Sequence, residues 1–389
     1  MLRRLVFAHD NRFLLASDGQ IYSRRGPWSW DRYLGFAEEL RVVARMEALP
    51  TASDTSDLEL ASRPGVSFVA VPSLSGPLLQ FTNRRAADRI LKTEIADADA
   101  VVARLPSEIG NRAAAIAERL GKRWAAEVVT CTWDALWNYG SWQGKAYAPL
   151  SWWKTRRLVR RAPYAIYVTD EFLQRRYPAG GRSVGVSDVE LPPLDDAVLA
   201  ARLERIRSRP SPFRLGVIAA LTVRFKGVQT ALEALGSLRD MLPPFELRIL
   251  GAGDPAPWRD LAATHEVADR VHFDGALPAG EPVLRWLDEV DLYLQPSFQE
   301  GLPRSLVEAL SRACPALGST AGGIPELLAP ECLHRPGDAT ALAQLIATAV
   351  RDEAWQSRQA ARNFETAKRY EAPRLDAVRA SFWDSFAAA

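Results

Sequence analysis

Short apolar runs alternate with amphipathic, helix-patterned stretches from one end of the chain to the other, and this rhythm constrains the fold more than any other feature. It is the signature of parallel α/β architecture, in which strands pair side by side and helices cover the sheet. LRRLVFAH (2–9), LRVVAR (40–45), VSFVAVP (66–72), ADAVVARLP (98–106) and YAIYVT (164–169) read as strands, with helices predicted over 84–97 and 109–124. A second series follows. FRLGVIAAL (213–221), FELRILGAG (245–253), RVHFDGAL (270–277) and VDLYLQPS (290–297) read as strands, and 227–241 and 304–313 as helices. CPALGST (314–320) leads into AGGIPELL, and the last fifty residues are alanine-rich and helical. Between the two series, the proline-bounded and charged run 192–212 reads as an interdomain connection. A chain of 389 residues is too long for one ordinary core and suits two domains.

Charge and cysteine usage narrow the classes. With 49 basic and 47 acidic residues the net charge is +2, so nothing global points to a nucleic-acid partner. Cys131, Cys314 and Cys332 show no CxxC spacing and read as reduced thiols of a cytosolic protein. The histidines at 9, 265, 272 and 334 form no metal-ligand motif. The apolar stretch after Met1 is too short for a signal peptide, and no run reaches the ~20 residues that span a bilayer. The expectation is a soluble cytoplasmic protein, at most attached to a membrane surface.

The most informative segment is PSFQEGLPRSLVEALSRACPALGSTAGGIPELL, residues 296–328. It reads as a strand end, a Gly/Pro turn, and a helix starting near Pro303 or Arg304. Proline suits a first helical turn, and the free N–H groups there make an anion site. Glu300 sits in the turn and Glu308 about two turns further on. The first carboxylate can accept hydrogen bonds from sugar hydroxyls beside a phosphate held by the helix end. The second can take both hydroxyls of a ribose. Taken alone, Glu308 fits a solvated helix face better.

The embedding tips the balance. This segment resembles the nucleotide-sugar site of retaining glycosyltransferases of glycosyltransferase family 4, which have the GT-B fold. PSFQEG, LPRSLVEALSRACP and AGGIPEL carry the resemblance, with Ala313 and Cys314 where the family often has glycine. ILGAG and RVHFDGAL follow the expected order, so the likeness runs over nearly the whole second lobe. It implies two Rossmann-like lobes. Residues 1–208 would be the acceptor-binding lobe, with 370–389 packing back on it, and 209–369 the nucleotide-sugar lobe. It further implies catalytic roles for Glu300, Lys226 and Arg224. Donor contacts would come from Glu308, Gly301, Leu302, Pro303, Arg304, Ser305, Gly251, Gly253, Ala276 and Leu277.

VRFKG (223–227) stands where that family places basic residues on the donor diphosphate. The arginine that the family often carries just after this strand is missing, since Ala219-Ala220-Leu221 stands there. Either Arg224 takes over, or the diphosphate rests chiefly on Lys226. GAGDPA lacks the third glycine of a dinucleotide fingerprint and is read as shaping the turn.

The first lobe is looser. GPWSW (26–30) lies where the family has a glycine-rich turn, so Gly26 is an acceptor-side candidate together with His9 and Asp10. The family's first-lobe histidine is either vacant here or filled by His9. Arg104, Ser107 and Asn138 would face the cleft from strand ends. Trp133 and Trp137 read better as core. The Asp-x-Asp inside ADADA (96–100) reads as solvated turn carboxylates, and no metal and no cofactor are expected. WWKTRRLVRR (152–161) suits either an anionic membrane surface or a solvated helix with its tryptophans inside.

The resemblance implies transfer of a sugar from a nucleoside-diphosphate donor to a glycan or lipid-linked acceptor, with retention, by front-face attack. Alternatives are a sugar-nucleotide epimerase of the same fold and an inactive nucleotide-sugar-binding subunit. A dehydrogenase fits worst, because the glycine fingerprint fails.

Overall fold

The computed structural model describes residues 1–23, 30–50 and 58–389. The chain packs as two compact units. The first comprises Met1–Thr132, Leu150–Val186 and Asp376–Ala389, and the second Trp133–Pro149 and Ser187–Leu375.

In the first unit the strands are β1 (Leu2–Leu15), β2 (Ile21–Ser23), β3 (Ala37–Ala48), β4 (Glu59–Leu60), β5 (Val66–Ala70), β6 (Ala100–Leu105), β7 (Arg123–Val128), β8 (Tyr164–Tyr167) and β9 (Arg182–Gly185). Parallel pairing runs β5-β3-β1-β6-β7-β8-β9, and β2 and β4 add on antiparallel beside the far end of β1. β6 shows why this sheet is parallel: Val101, Val102, Ala103 and Leu105 are all fully buried, as a strand covered on both faces requires. Helices α1 (Pro77–Ala96) and α2 (Glu108–Arg119) belong to this unit, as does α3 (Trp142–Val159) from Leu150 onward. The helix predicted over 109–124 overruns. Gly121, at φ +63°, breaks it, and Arg123–Val128 turns into a strand whose two alanines and Glu127 carry little strand signal.

The C-terminal helix Ala372–Ala388 owes its place to aromatics. Trp383 stacks on Phe36 with centroids 5.0 Å apart, and Phe382 and Phe386 meet Tyr164 edge-on.

The second unit holds β10 (Phe213–Ile218), β11 (Phe245–Leu250), β12 (Val271–Gly275), β13 (Leu292–Gln295), β14 (Ala316–Ser319) and β15 (Leu333–His334). They form one parallel sheet in the order β12-β11-β10-β13-β14-β15, the doubly wound arrangement. The stretch expected as a connection is instead helix α4 (Asp196–Ser208), packed into this unit. Its Leu199, Leu203 and Ile206 lie on Ala313, Ala360 and Phe364.

One charge of that stretch, Arg202, is buried. Arg202 donates to the carbonyls of Leu287 (2.9 Å), Arg312 (3.1 Å) and Val290, and to Cys314 Sγ (3.0 Å). The carbonyls lie at or just past the C-terminal ends of two helices, where the dipole favours a cation. Arg202→Leu should therefore cost about 3 kcal/mol. In a unit of this size that lowers the melting temperature by roughly 6–12 °C in calorimetry. An unchanged melting temperature would show that water satisfies those carbonyls equally well.

Candidate active site

Ligands of doubly wound sheets sit beyond the C-terminal strand ends where the winding reverses. In the second unit that point lies between β10 and β13. The loop after β10 carries Arg224 and Lys226; the loop after β13 carries Glu300.

Two close approaches bring these loops together. Phe298 N–H donates to the Phe225 carbonyl at 2.7 Å. Gly227 has φ +79°, and a Cβ there would overlap the Pro296 carbonyl, so glycine is required on both counts. Gly322 likewise has φ +59° and leaves no room for a Cβ beside the Glu300 backbone. The result is a salt bridge from Lys226 Nζ to Glu300 Oε1 of 2.8 Å, with the carboxylate 9% exposed.

Glu300 is held by more than Lys226. Ser297 Oγ (2.8 Å) and Gln295 Nε2 (3.0 Å) also donate to Oε1. Gln295 is itself fixed, because its Oε1 accepts from Tyr293 (3.0 Å) and Ser305 (3.1 Å) while its Nε2 also donates to Ser297 (2.9 Å). All four hydrogen bonds of that carboxamide are made, which sets its orientation. Burial raises the pKa of the Tyr293 hydroxyl, so it stays a donor. Three donors anchor Oε1, and among the described residues none reaches Oε2.

Helix α5 (Arg304–Ser311) begins beside this carboxylate, behind Gly301, Leu302 and Pro303. No side chain caps its first turn. Its backbone donors there are therefore available to an anion. Glu308 sits on the same helix, its side chain 16% exposed, with the Arg304 guanidinium 3.9 Å away.

The remaining residues of the set border the same strand ends. Arg224 lies over the Trp258 ring, 5.6 Å from its centroid, and makes no ion pair with Glu300. Gly251 and Gly253 follow β11 and fold against residues 219–222. Ala276 and Leu277 follow β12 and are exposed.

Residues 212–352 match the family model described as glycosyl transferases group 1. Protein CapJ of Staphylococcus aureus is 27% identical over 344 residues, 88% of this chain and 85% of CapJ. The amylovoran biosynthesis glycosyltransferase AmsK of Erwinia amylovora is 37% identical over 150 residues, 35% of each chain. HepE from Anabaena, solved in complex with UDP, superposes with a TM-score of 0.65 at 16% identity, covering 98% of this chain and all of HepE. At that identity the likeness shows the fold alone. Residues 212–352 are a glycosyltransferase group 1 domain. The two Rossmann-like units are those of the GT-B fold.

The glycosyltransferase domain thus gathers Lys226, Glu300 and the start of α5. The first-unit candidates divide differently. The Asp10 carboxylate accepts from the N–H groups of Glu108 (2.6 Å) and Ile109 (3.4 Å), and Ser107 Oγ from Gly110 (2.8 Å). Both cap the start of α2. Arg104 pairs with Glu127, whose other oxygen accepts from Tyr33 at 2.6 Å. Glu127, buried at the end of β7, is a member of this set that the sequence did not flag. His9 is half-buried on β1, and Gly26 lies outside the described residues. Asn138 packs with the second unit instead, donating to the carbonyls of Asp134 (3.0 Å) and Phe298 (3.3 Å). Trp133 and Trp137 stack 5.7 Å apart, but Trp137 is 45% exposed, so the core reading fails for it. Asp97 pairs with Arg4, and Asp99 accepts from the N–H groups of Arg3 and Arg4.

Burial holds the Glu308 carboxyl above its ordinary value of 4.5, and Arg304 offsets this only partly. From 4.5 up to that raised value the folded domain keeps a proton that the unfolded chain has released. Stability therefore falls as pH rises through this window. Glu308→Gln removes the fall, so the variant should melt higher than the parent at pH 7 and gain less at pH 4. Equal melting temperatures at both pH values would mean that Glu308 is better solvated than its burial implies.

Proposed function

We propose that this chain transfers a hexosyl group from a nucleoside-diphosphate sugar to a glycan acceptor during assembly of a bacterial polysaccharide, with retention of configuration. The acceptor on this reading is lipid-linked, which puts the enzyme at the inner face of the cell membrane. The observation that carries the proposal is Glu300, anchored through Oε1 by Lys226, Ser297 and Gln295 beside the uncapped start of α5. The biosynthetic role is supported by AmsK, and the donor class by the UDP bound in HepE.

Diphosphate oxygens would rest on the first N–H groups of α5. Lys226 spends one of its three donors on Glu300 and keeps the others for the leaving nucleotide. The free Oε2 of Glu300 would accept donor-sugar hydroxyls, and Glu308 the ribose hydroxyls. Charge that develops on the diphosphate is stabilised by preorganised cations and dipoles. These supply what a divalent ion would, so the reaction is expected to proceed without metal. An acceptor hydroxyl then bonds to the anomeric carbon as the bond to the diphosphate oxygen breaks, and that oxygen takes the proton. Glu300 is an unsuitable nucleophile for a double displacement, because three donors on Oε1 keep it from swinging onto the anomeric carbon.

A thermal-shift series with UDP, GDP, ADP and dTDP, with EDTA or magnesium, tests the binding half. One diphosphate should stabilise the chain equally in both conditions, and the shift should vanish in Lys226→Ala and shrink in Glu308→Gln. Transfer abolished by EDTA, or an inverted product by NMR, would overturn the mechanism. Binding without transfer to any acceptor would leave a nucleotide-binding subunit.

The anchoring network makes a separate prediction. Gln295→Leu frees Glu300 to rotate, and misplacement on the order of 1 Å lowers rates by about 100-fold. Steady-state kinetics should show that loss in kcat, with nucleotide affinity nearly unchanged. A change confined to KM would assign Gln295 to binding.

A further inference from the structure

Among the described residues the exposed aromatic side chains are Phe81, Trp137, Tyr139, Trp142 and Trp153. All precede residue 154, so the long remainder of the described surface keeps its aromatics covered. On α1, Leu78 and Phe81 are 74% and 86% exposed, three residues apart and so on one face. On α3, Leu150 and Trp153 repeat the spacing at 47% and 50%.

These two faces adjoin. Phe81, Arg84 and Arg85 of α1 line an open cavity of about 490 Å³ together with Arg112 and with Lys154 of α3. The carboxylates in its wall are Asp88, tied up by Arg112, and Glu108. The flanking sequence is free of acid: residues 61–87 and 135–169 contain no Asp or Glu. The second run holds Lys145, Lys154, Arg156, Arg157, Arg160 and Arg161.

The fold divides that basic cluster. Arg156 donates to the carbonyls of Arg175 and Arg176, Arg161 pairs with Glu118 at 2.9 Å, and Trp152 is half-buried under Arg156. Trp153, Lys154, Arg157 and Arg160 remain outward, with Arg157 over the Trp153 ring.

We propose that the face formed by Leu78, Phe81, Leu150 and Trp153, rimmed by Arg84, Arg85, Lys154 and Arg157, docks on an anionic phospholipid bilayer. Large apolar side chains reach the level of the headgroups and the cations meet lipid phosphates, the division of labour of interfacial helices. Charge complementarity selects the occupant. A protein partner would bury such side chains in a fitted apolar pocket, whereas the cavity beside Phe81 is open and lined by Arg84, Arg85, Arg112 and Lys154. The surface deepens the reading of a lipid-linked acceptor without depending on it, since vesicle binding needs neither donor nor transfer.

The test is flotation of the full chain with phosphatidylcholine vesicles and with vesicles containing phosphatidylglycerol, at about 0.15 M salt. Binding should be at least tenfold tighter to the anionic vesicles. Arg84→Glu with Arg85→Glu should abolish it, and Phe81→Ser with Trp153→Ser should weaken it at least tenfold. The nucleotide thermal shift of each variant should match the parent, which shows that the chain is folded. No binding to anionic vesicles, or binding indifferent to the aromatic substitutions, would overturn the proposal. Either outcome leaves the transferase reading standing, and a failed nucleotide shift in the parent leaves this surface standing.

Discussion

Everything at the candidate site depends on how closely the loop after β10 approaches the loop after β13. Gly227 permits the approach by having no Cβ to strike the Pro296 carbonyl, and the Phe298-to-Phe225 hydrogen bond fixes it. Only then can Lys226 reach a buried Glu300. A carboxylate stripped of water and left without a partner is costly. The two charges and the two glycine contacts form one device: a bulkier residue at 227 would separate the loops, and separation would strand Glu300. Gln295 and Ser297 add donors to the oxygen that Lys226 already holds, so the second oxygen is oriented without being consumed.

The two units use the same architectural position in opposite ways. In each, a helix starts just past the strand on the far side of the winding reversal. In the first unit that start is closed, because Ser107 and Asp10 both accept from the opening N–H groups of α2. In the second unit the start of α5 has no side-chain cap. Burial raises the pKa of Asp10, while the N–H donors of α2 and the Arg45 guanidinium pull it down, which suits a carboxylate built into a helix end. An anion competing for α2 would have to displace that carboxylate, whereas one arriving at α5 displaces water. This contrast gives a physical reason to assign a diphosphate to the second unit, independent of any relative.

Much of this was legible in the sequence. Parallel strands buried on both faces leave continuous apolar runs, which is why β6, β10, β11 and β13 could be read directly. The turn carrying Glu300 and the helix carrying Glu308 were legible because glycine and proline punctuate them. What escaped has a common cause: polar residues whose partners lie far off in sequence. Arg202 reads as a solvated charge until the carbonyls of Leu287, Val290 and Arg312 are found around it. Glu127 makes β7 look like a helix until Arg104 and Tyr33 are seen to hold it. Gln295, inside an apolar strand, gave no sign of its four hydrogen bonds. Asp10 and Ser107 show the opposite ambiguity, because a strand-end position that suits a ligand suits a helix cap equally well.

The two glutamates of the second unit show how burial and satisfaction can be separated to serve different ends. Glu300 is the more buried, yet it has three donors, so its charge is stabilised before any ligand arrives. Glu308 is more open, yet it has one distant arginine, and burial raises its pKa. A preorganised carboxylate contributes orientation, since its environment need not rearrange when charge shifts nearby. An unsatisfied one contributes affinity, because a ligand with two hydroxyl donors relieves a cost that the empty protein already bears. On the proposed reading, Glu300 just before the start of α5 and Glu308 within it would let one short segment orient a group, hold an anion and gain from binding. A single carboxylate would have to choose between being fixed and being hungry for donors.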